Sequence, residues 1–280
     1  MSPDGTSWSW GCRRLGVRYG ATVALEEVSF EVAAGTVAAV VGGDGAGKTS
    51  LLRALAGTVR PAAGTVRRPD ERRLGYVSAG PGVWADLTVD ENLSFSGRAY
   101  GLSAGELQRR VGGLLDRTGL AEARDRLAGR LSGGMRQKLA LAMAVAHEPD
   151  LLILDEPTTG VDPVSRAELW RLLAASAAGG AAVVVATTYL DEAERAATVL
   201  VLDRGRSLLA GTPDEVVAAT PGLVVDAAAR PDRIPSWRRG SRWRAWSPDG
   251  STPPGTGPAT LDLEDAVIVA QLREDQRWAA

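Results

Sequence analysis

The chain has 280 residues, an apolar share of 45% and a formal net charge of −2. That length allows one large domain or a domain with an appendage, the apolar share suffices for a real core, and the charge excludes a global basic field for nucleic acid. The single cysteine, Cys12, excludes an internal disulfide, and the longest apolar runs, 139–146 and 181–186, fall well short of the roughly 18 residues of a membrane span.

Residues 1–12 are rich in Ser, Gly and Trp without periodicity and read as a flexible tail. They lack the basic and apolar regions of a secretory leader. Residues 13–222 read as one domain. Val17-Arg18-Tyr19-Gly20 and the alternating stretch 24–32 predict half-buried strands. Tyr19 alone reads as a strand tyrosine packed on a sheet edge; placed ahead of the glycine-rich loop that follows, it is a candidate to stack on an adenine ring, a contact worth roughly 1–3 kcal/mol.

Thr36-Val37-Ala38-Ala39-Val40-Val41 predicts a short buried strand. It runs into Gly42-Gly43-Asp44-Gly45-Ala46-Gly47-Lys48-Thr49, which fits G-x-x-x-x-G-K-[ST]. Ser50 and residues 51–56 predict the helix that follows. The glycines let backbone N–H groups turn inward, and the helix start adds its positive end, so the loop makes a nest for phosphate. Lys48 then reaches the β- and γ-phosphates, and Thr49 offers its hydroxyl to Mg²⁺. The only other lysine is Lys138; the remaining permanent cations are all arginine. A compact ammonium fits such a nest where a planar guanidinium does not. A glycine-rich turn with a chance lysine is the bland alternative.

Leu74-Gly75-Tyr76-Val77 predicts a strand. Residues 86–148 predict a helical insertion, with Thr88 as an N-cap and 120–127 as its penultimate helix. Ser132 predicts the cap of a helix running to about Ala146. Gly133 and Gly134 bare the backbone at its start and suggest a second anion site. His147, the lone histidine, reads as a solvated helix-end residue without a catalytic role. Leu151-Leu152-Ile153-Leu154 predicts a buried strand that delivers Asp155 and Glu156 at its carboxyl end, where α/β folds bind ligands. Asp155 suits Mg²⁺. Glu156 suits the base that activates water. Asp162 follows on the next turn, and 182–186 predict another buried strand. Residues 199–202 and 206–209 predict a hairpin about Arg204-Gly205. From 223 to 280 proline rises, and Trp237, Trp243 and Trp246 stand among arginines. This predicts a linker and a small β unit held by cation–π packing.

Four motifs in order, the phosphate loop, 131–137, 151–156 and 160–163, resemble the ATP-binding subunit of ABC transporters. Asp86-Leu87-Thr88-Val89-Asp90-Glu91-Asn92-Leu93, Tyr100-Gly101-Leu102 and Gly211-Thr212-Pro213-Asp214-Glu215 are similar to the daunorubicin-type exporter branch. The resemblance covers about 14–217. It implies an α/β fold with a mostly parallel sheet, a helical insertion and a C-terminal appendage. It also implies ATP and Mg²⁺ as cofactors, and two domains paired head to tail. Ser132, Gly133 and Gly134 of one domain, with Asp162 nearby, serve the nucleotide held by the other. The implied partners are a membrane permease and a second ATPase chain, which places the chain in the cytoplasm on the inner face of the membrane. Asp44 stands where asparagine is commoner. Ala79 replaces the expected glutamine and Thr188 the expected histidine. These departures imply weak ATP hydrolysis alone, and leave open a regulatory, hydrolysis-poor partner.

Overall fold

The computed structural model describes residues 9–80, 82–232 and 234–279. They divide into two compact units, 1–207 and 208–280. The first runs β1 (Ser9–Tyr19), β2 (Thr22–Ala33), β3 (Val37–Val41), α1 (Lys48–Ala56), β4 (Ala63–Arg67), β5 (Leu74–Val77), α2 (Val89–Ala99), α3 (Ala104–Thr118), α4 (Gly133–Val145), β6 (Leu151–Asp155), α5 (Pro163–Ala178), β7 (Ala182–Thr187), α6 (Leu190–Ala193) and β8 (Thr198–Asp203). The division falls on β9 (Arg206–Gly211).

The core sheet has the order β5-β6-β7-β3-β8-β9. Its four inner pairings, β5 with β6, β6 with β7, β7 with β3 and β3 with β8, are parallel. Successive side chains on a strand face opposite ways, and here they feed two separate cores. Leu151, Ile153, Ala182 and Val184 pack with α1 and the β1–β2 hairpin. Leu152, Leu154, Val183 and Val185 pack with α4 and α5. Burial on both faces explains why these strands read as continuous apolar runs. Their carboxyl ends converge where the loops after β3, β6 and β7 begin.

Residues 9–12, expected in a loose tail, are strand instead. Trp10 pairs with Val32 and Cys12 with Phe30. β1 is the central strand of a sheet of order β2-β1-β4, and Cys12 is buried. Burial pushes its thiol pKa up to about 12, which leaves it unreactive at neutral pH. Residues 1–8 of the expected tail lie outside the described residues.

The insertion packs α2, α3 and α4 around Val89, Leu93, Leu107, Val111, Leu115, Leu139 and Met143. Thr88 with Glu91, and Ser103 with Glu106, close capping boxes on α2 and α3, each worth about 1 kcal/mol. Residues 120–127 do not form the expected helix. Gly119 turns left-handed at φ +66 and stops α3. The backbone then returns to α2, where Val89 and Asp90 donate to the Arg126 and Arg124 carbonyls. Trp84 and Phe95 form an exposed edge-to-face pair with centroids 4.4 Å apart.

His147 is not solvated; it is buried. Its ring stacks on Tyr100 with centroids 3.7 Å apart, and Nε2 donates to the Leu74 carbonyl at 3.2 Å. The end of α2 and the start of β5 close over a site that sequence position alone placed at a helix end. Burial drives its pKa down to about 4; the Leu74 bond opposes this, and Arg73 and Arg110 add to the fall. The unfolded chain titrates near 6.5. Between these values the unfolded state binds the proton first, so stability is full above about pH 6.5 and falls as pH drops toward 4. At ~1.4 kcal/mol per unit, about 2 kcal/mol is lost by pH 5. Urea unfolding at pH 7 and pH 5 should show this loss in the wild type and a smaller one in His147→Gln. An equal loss in both would refute it.

The second unit begins earlier than the composition shift at 223 suggested. Helix α7 (Pro213–Ala218) packs on α8 (Leu263–Ala279), which draws residues 208–222 into this unit. Between them β10 (Leu223–Ala227), β11 (Ser236–Arg239), β12 (Arg242–Ser247) and β13 (Thr256–Pro258) form an antiparallel sheet of order β11-β12-β10-β13. Val224, Trp246 and Val269 are its core. Arg230 and Arg238 lie over the Trp243 ring at 5.6 and 5.5 Å. The buried Arg244–Asp265 pair ties the sheet to α8.

Candidate functional site

The loop after β3 is shaped by two close approaches. A Cβ at Gly47, which has φ +105, would fall 2.6 Å from a Leu25 methyl. One at Gly42 would fall 2.4 Å from the Leu202 carbonyl oxygen. Only glycine fits at either place. Helix α1 then starts at Lys48 without a side-chain cap, so its first N–H groups stay available to an anion.

Lys48 is buried. Its Nζ donates to the Gly42 carbonyl at 2.8 Å and the Gly43 carbonyl at 3.3 Å, and lies 3.4 Å from Glu156 Oε1. Asp155 ends β6 and is 1% exposed. Burial raises its carboxyl pKa. A hydrogen bond from Thr49 and the Lys48 charge hold it back, while Glu156 adds to the rise. Asp155 Oδ1 is buried with no protein hydrogen-bond partner. Such an orphan oxygen beside the Thr49 hydroxyl fits a hard divalent cation. Among the described residues no group of three or more metal-ligating side chains forms. That suits Mg²⁺, which takes one or two protein ligands and completes its shell on phosphate and water.

Glu156 sits just past the strand at φ +50. Its N–H donates to the Ala186 carbonyl at 2.9 Å, and Oε2 accepts from Thr159 Oγ1 at 3.3 Å. The next strand thus fixes its backbone while its carboxylate faces Lys48.

These groups line a cavity of about 530 Å³ made by residues 43–50, Glu156, the start of β2 at 22–24 and Arg204-Gly205. The predicted Gly43, Asp44, Gly45, Ala46, Gly47, Lys48, Thr49, Ser50 and Glu156 come together there, and Asp155 meets them through Thr49. Tyr19 is 43% exposed at the end of β1; it does not itself line the cavity but lies just before the start of β2, which does.

Ser132, Gly133 and Gly134 do not line this cavity. Ser132 caps α4, its Oγ accepting from the Met135 N–H at 3.2 Å. Asp162, expected at the nucleotide, does not line it either. Its Oδ1 accepts from the Val164 and Ser165 N–H groups, both at 3.0 Å, so it serves as the cap of α5. Ala79 and Thr188 are exposed in the loops after β5 and β7.

Two features escaped the sequence reading. Arg204-Gly205 read only as a hairpin turn. Glu192, 0% exposed, accepts from Thr187 Oγ1 at 2.7 Å and lies 3.7 Å from Arg166 Nε. Arg166 in turn covers the Tyr189 ring at 4.3 Å. This network braces the loop that carries Thr188. Its only sequence signal is an acidic pair, Asp191-Glu192, which reads as solvent-facing.

Residues 25–159 match the family model described as ABC transporter. The Nod factor export ATP-binding protein I of Paraburkholderia xenovorans is 37% identical over 227 residues, 77% of this chain and 75% of that protein. The daunorubicin/doxorubicin resistance ATP-binding protein DrrA of Streptomyces peucetius is 40% identical over 71% of this chain and 63% of that protein. The solved structure of an ATP binding subunit of an ABC transporter superposes with a TM-score of 0.70 at 31% identity, over 75% of this chain and 92% of that one. These matches do not favour a purely regulatory role. A phosphate loop, a buried acidic strand end and this degree of likeness lead to one conclusion: the chain belongs to the ATP-binding subunits of ABC transporters.

Proposed function

We propose that this chain is the ATPase subunit of an exporter and energises a separate membrane permease through nucleotide-driven dimer closure. The convergence of Lys48, Thr49, Asp155 and Glu156 on one cavity carries this reading. Lys48 exchanges its carbonyl and Glu156 contacts for the β- and γ-phosphates of ATP. Thr49 and Asp155 hold Mg²⁺, which when bound offsets phosphate charge. Glu156, released from Lys48, orients and deprotonates the attacking water. Tyr19 stacks on the adenine. Ser132, Gly133 and Gly134 act on the nucleotide of the facing subunit, as does Asp162 from the adjoining cap. The names of the export and resistance relatives support the exporter reading. No described helix is long and apolar enough to cross a membrane. The exposed Trp84–Phe95 pair offers an apolar patch to a permease, and the working complex sits at the inner face of the membrane.

The chain alone is a slow ATPase, and its natural partner is a second, different ATPase chain. Ala79 offers no polar group to water or metal. Thr188 is neutral and short where the family pattern has a histidine toward the γ-phosphate. Losing one preorganised transition-state donor costs on the order of 10²–10³ in rate. Steady-state ATPase should therefore be slow for the purified chain and rise at least tenfold with a partner ATPase and permease encoded beside it. Brisk turnover by the chain alone, unchanged by those partners, would sink the proposal.

A further inference from the structure

Arg204 and Gly205 form the two-residue turn between β8 and β9. Both have positive φ, +46 and +79. This is the pattern of a type I′ turn, whose first central position favours Asn, Asp or Gly. An arginine is strained there. Among the described residues five non-glycines have positive φ, and two of them, Glu156 and Arg204, line the same cavity. Strained backbone held in place at a site is a pointer to function.

The turn is fixed to the phosphate loop. The Gly205 N–H donates to the Ala46 carbonyl at 3.0 Å, and the Gly205 carbonyl accepts from the Glu26 N–H at 2.8 Å. A Cβ at Gly205 would fall 2.6 Å from the Ala24 carbonyl oxygen, so this packing leaves no room for slippage. Arg204 is thereby anchored beside the middle of the loop and the first residues of β2, rather than at the Lys48 end.

Charge points the same way. The carboxylates of Asp44 and Glu156 line the cavity, and the cationic side chains that line it are Lys48 and Arg204. Lys48 is committed to the far end, 3.4 Å from Glu156. The Arg204 side chain is 57% exposed with Nε 3.8 Å from Asp203 Oδ2, and it reaches phosphate by exchanging the contacts it holds, as Lys48 does. A guanidinium on a rigid turn can then meet a phosphate oxygen with a charge-assisted hydrogen bond.

We propose that Arg204 is a nucleotide-binding residue, its guanidinium holding the α-phosphate end of an adenine nucleotide while Lys48 holds the distal phosphates. This rests on the cavity being the nucleotide site. Because the α-phosphate is common to ATP and ADP, both should depend on Arg204 equally.

The test is calorimetric titration of the full chain with ATP and with ADP, beside thermal melting without nucleotide. R204A should weaken both nucleotides by about tenfold, and R204K should recover part of the loss. R204N should melt above wild type, because asparagine suits the turn, yet bind as weakly as R204A. A gain in stability with a loss of affinity is not what a merely structural turn residue gives. Unchanged affinity in R204A and R204N, with a wild type that binds, would overturn the role of Arg204 alone. A loss confined to ATP would overturn its placement at the α-phosphate. A wild type that binds neither nucleotide would overturn the reading of the cavity and this proposal with it.

Discussion

Lys48→Ala should weaken ATP binding by on the order of a hundredfold, the equivalent of about 3 kcal/mol. Lys48 is nearly enclosed, and its Nζ is held at the floor of the loop by two carbonyls and faces Glu156. Its removal leaves the carboxyl groups of Glu156 and Asp155 next to incoming phosphate without the ammonium that faces them. The backbone N–H groups of α1 remain, but each carries only a partial charge. Lys48→Arg should fare little better, because the wider guanidinium cannot keep both short contacts inside the loop. Nucleotide titration of the purified variants decides this. Wild-type affinity in Lys48→Ala would remove the phosphate-loop assignment. The apo fold should survive, since the helix that starts at Lys48 rests on Leu51, Leu52 and Leu55, each at most 1% exposed.

The parts of the site legible in the sequence are those where local chemistry and position along the chain coincide. Gly42 and Gly47 are forced by close backbone contacts, and such positions leave glycine in the sequence. Asp155 and Glu156 follow a strand whose two faces are both buried, so the carboxylates can only mark its end. Ser132 and Thr88 were legible because a cap acts on its own next three residues.

What was not legible depends on contacts between distant segments. His147 lies past the end of α4 and looked solvated, but Tyr100 and Leu74 close over it from 47 and 73 residues away in sequence. Residues 9–12 pair in unbroken register with residues 33–30, but Ser-Trp-Gly-Cys shows no alternation of its own, and it is strand only because a partner strand lies beside it. Arg204 enters the cavity only because β8 lies beside β3 in the sheet.

Glu156→Gln should keep ATP binding and abolish turnover, with a fall of about 10²–10⁴ set by the loss of a general base. The substitution preserves size and leaves the backbone bond to Ala186 in place. It removes the negative charge that faces Lys48. That charge competes with phosphate for the ammonium, so the variant should bind ATP at least as tightly as wild type. Glutamine cannot accept a proton from water at neutral pH, and bound ATP then persists. If nucleotide-driven closure is what this subunit does, the persisting ATP should hold two copies together, and size-exclusion chromatography with ATP and Mg²⁺ should show a dimer that ADP does not support. Glu156→Asp is the finer control, because it keeps the base but draws it back by one methylene, so it should bind normally and turn over slowly. Full turnover in Glu156→Gln would refute the assignment of Glu156 as the base. Lost turnover together with lost binding would instead mean that Glu156 chiefly shapes the Lys48 end of the loop.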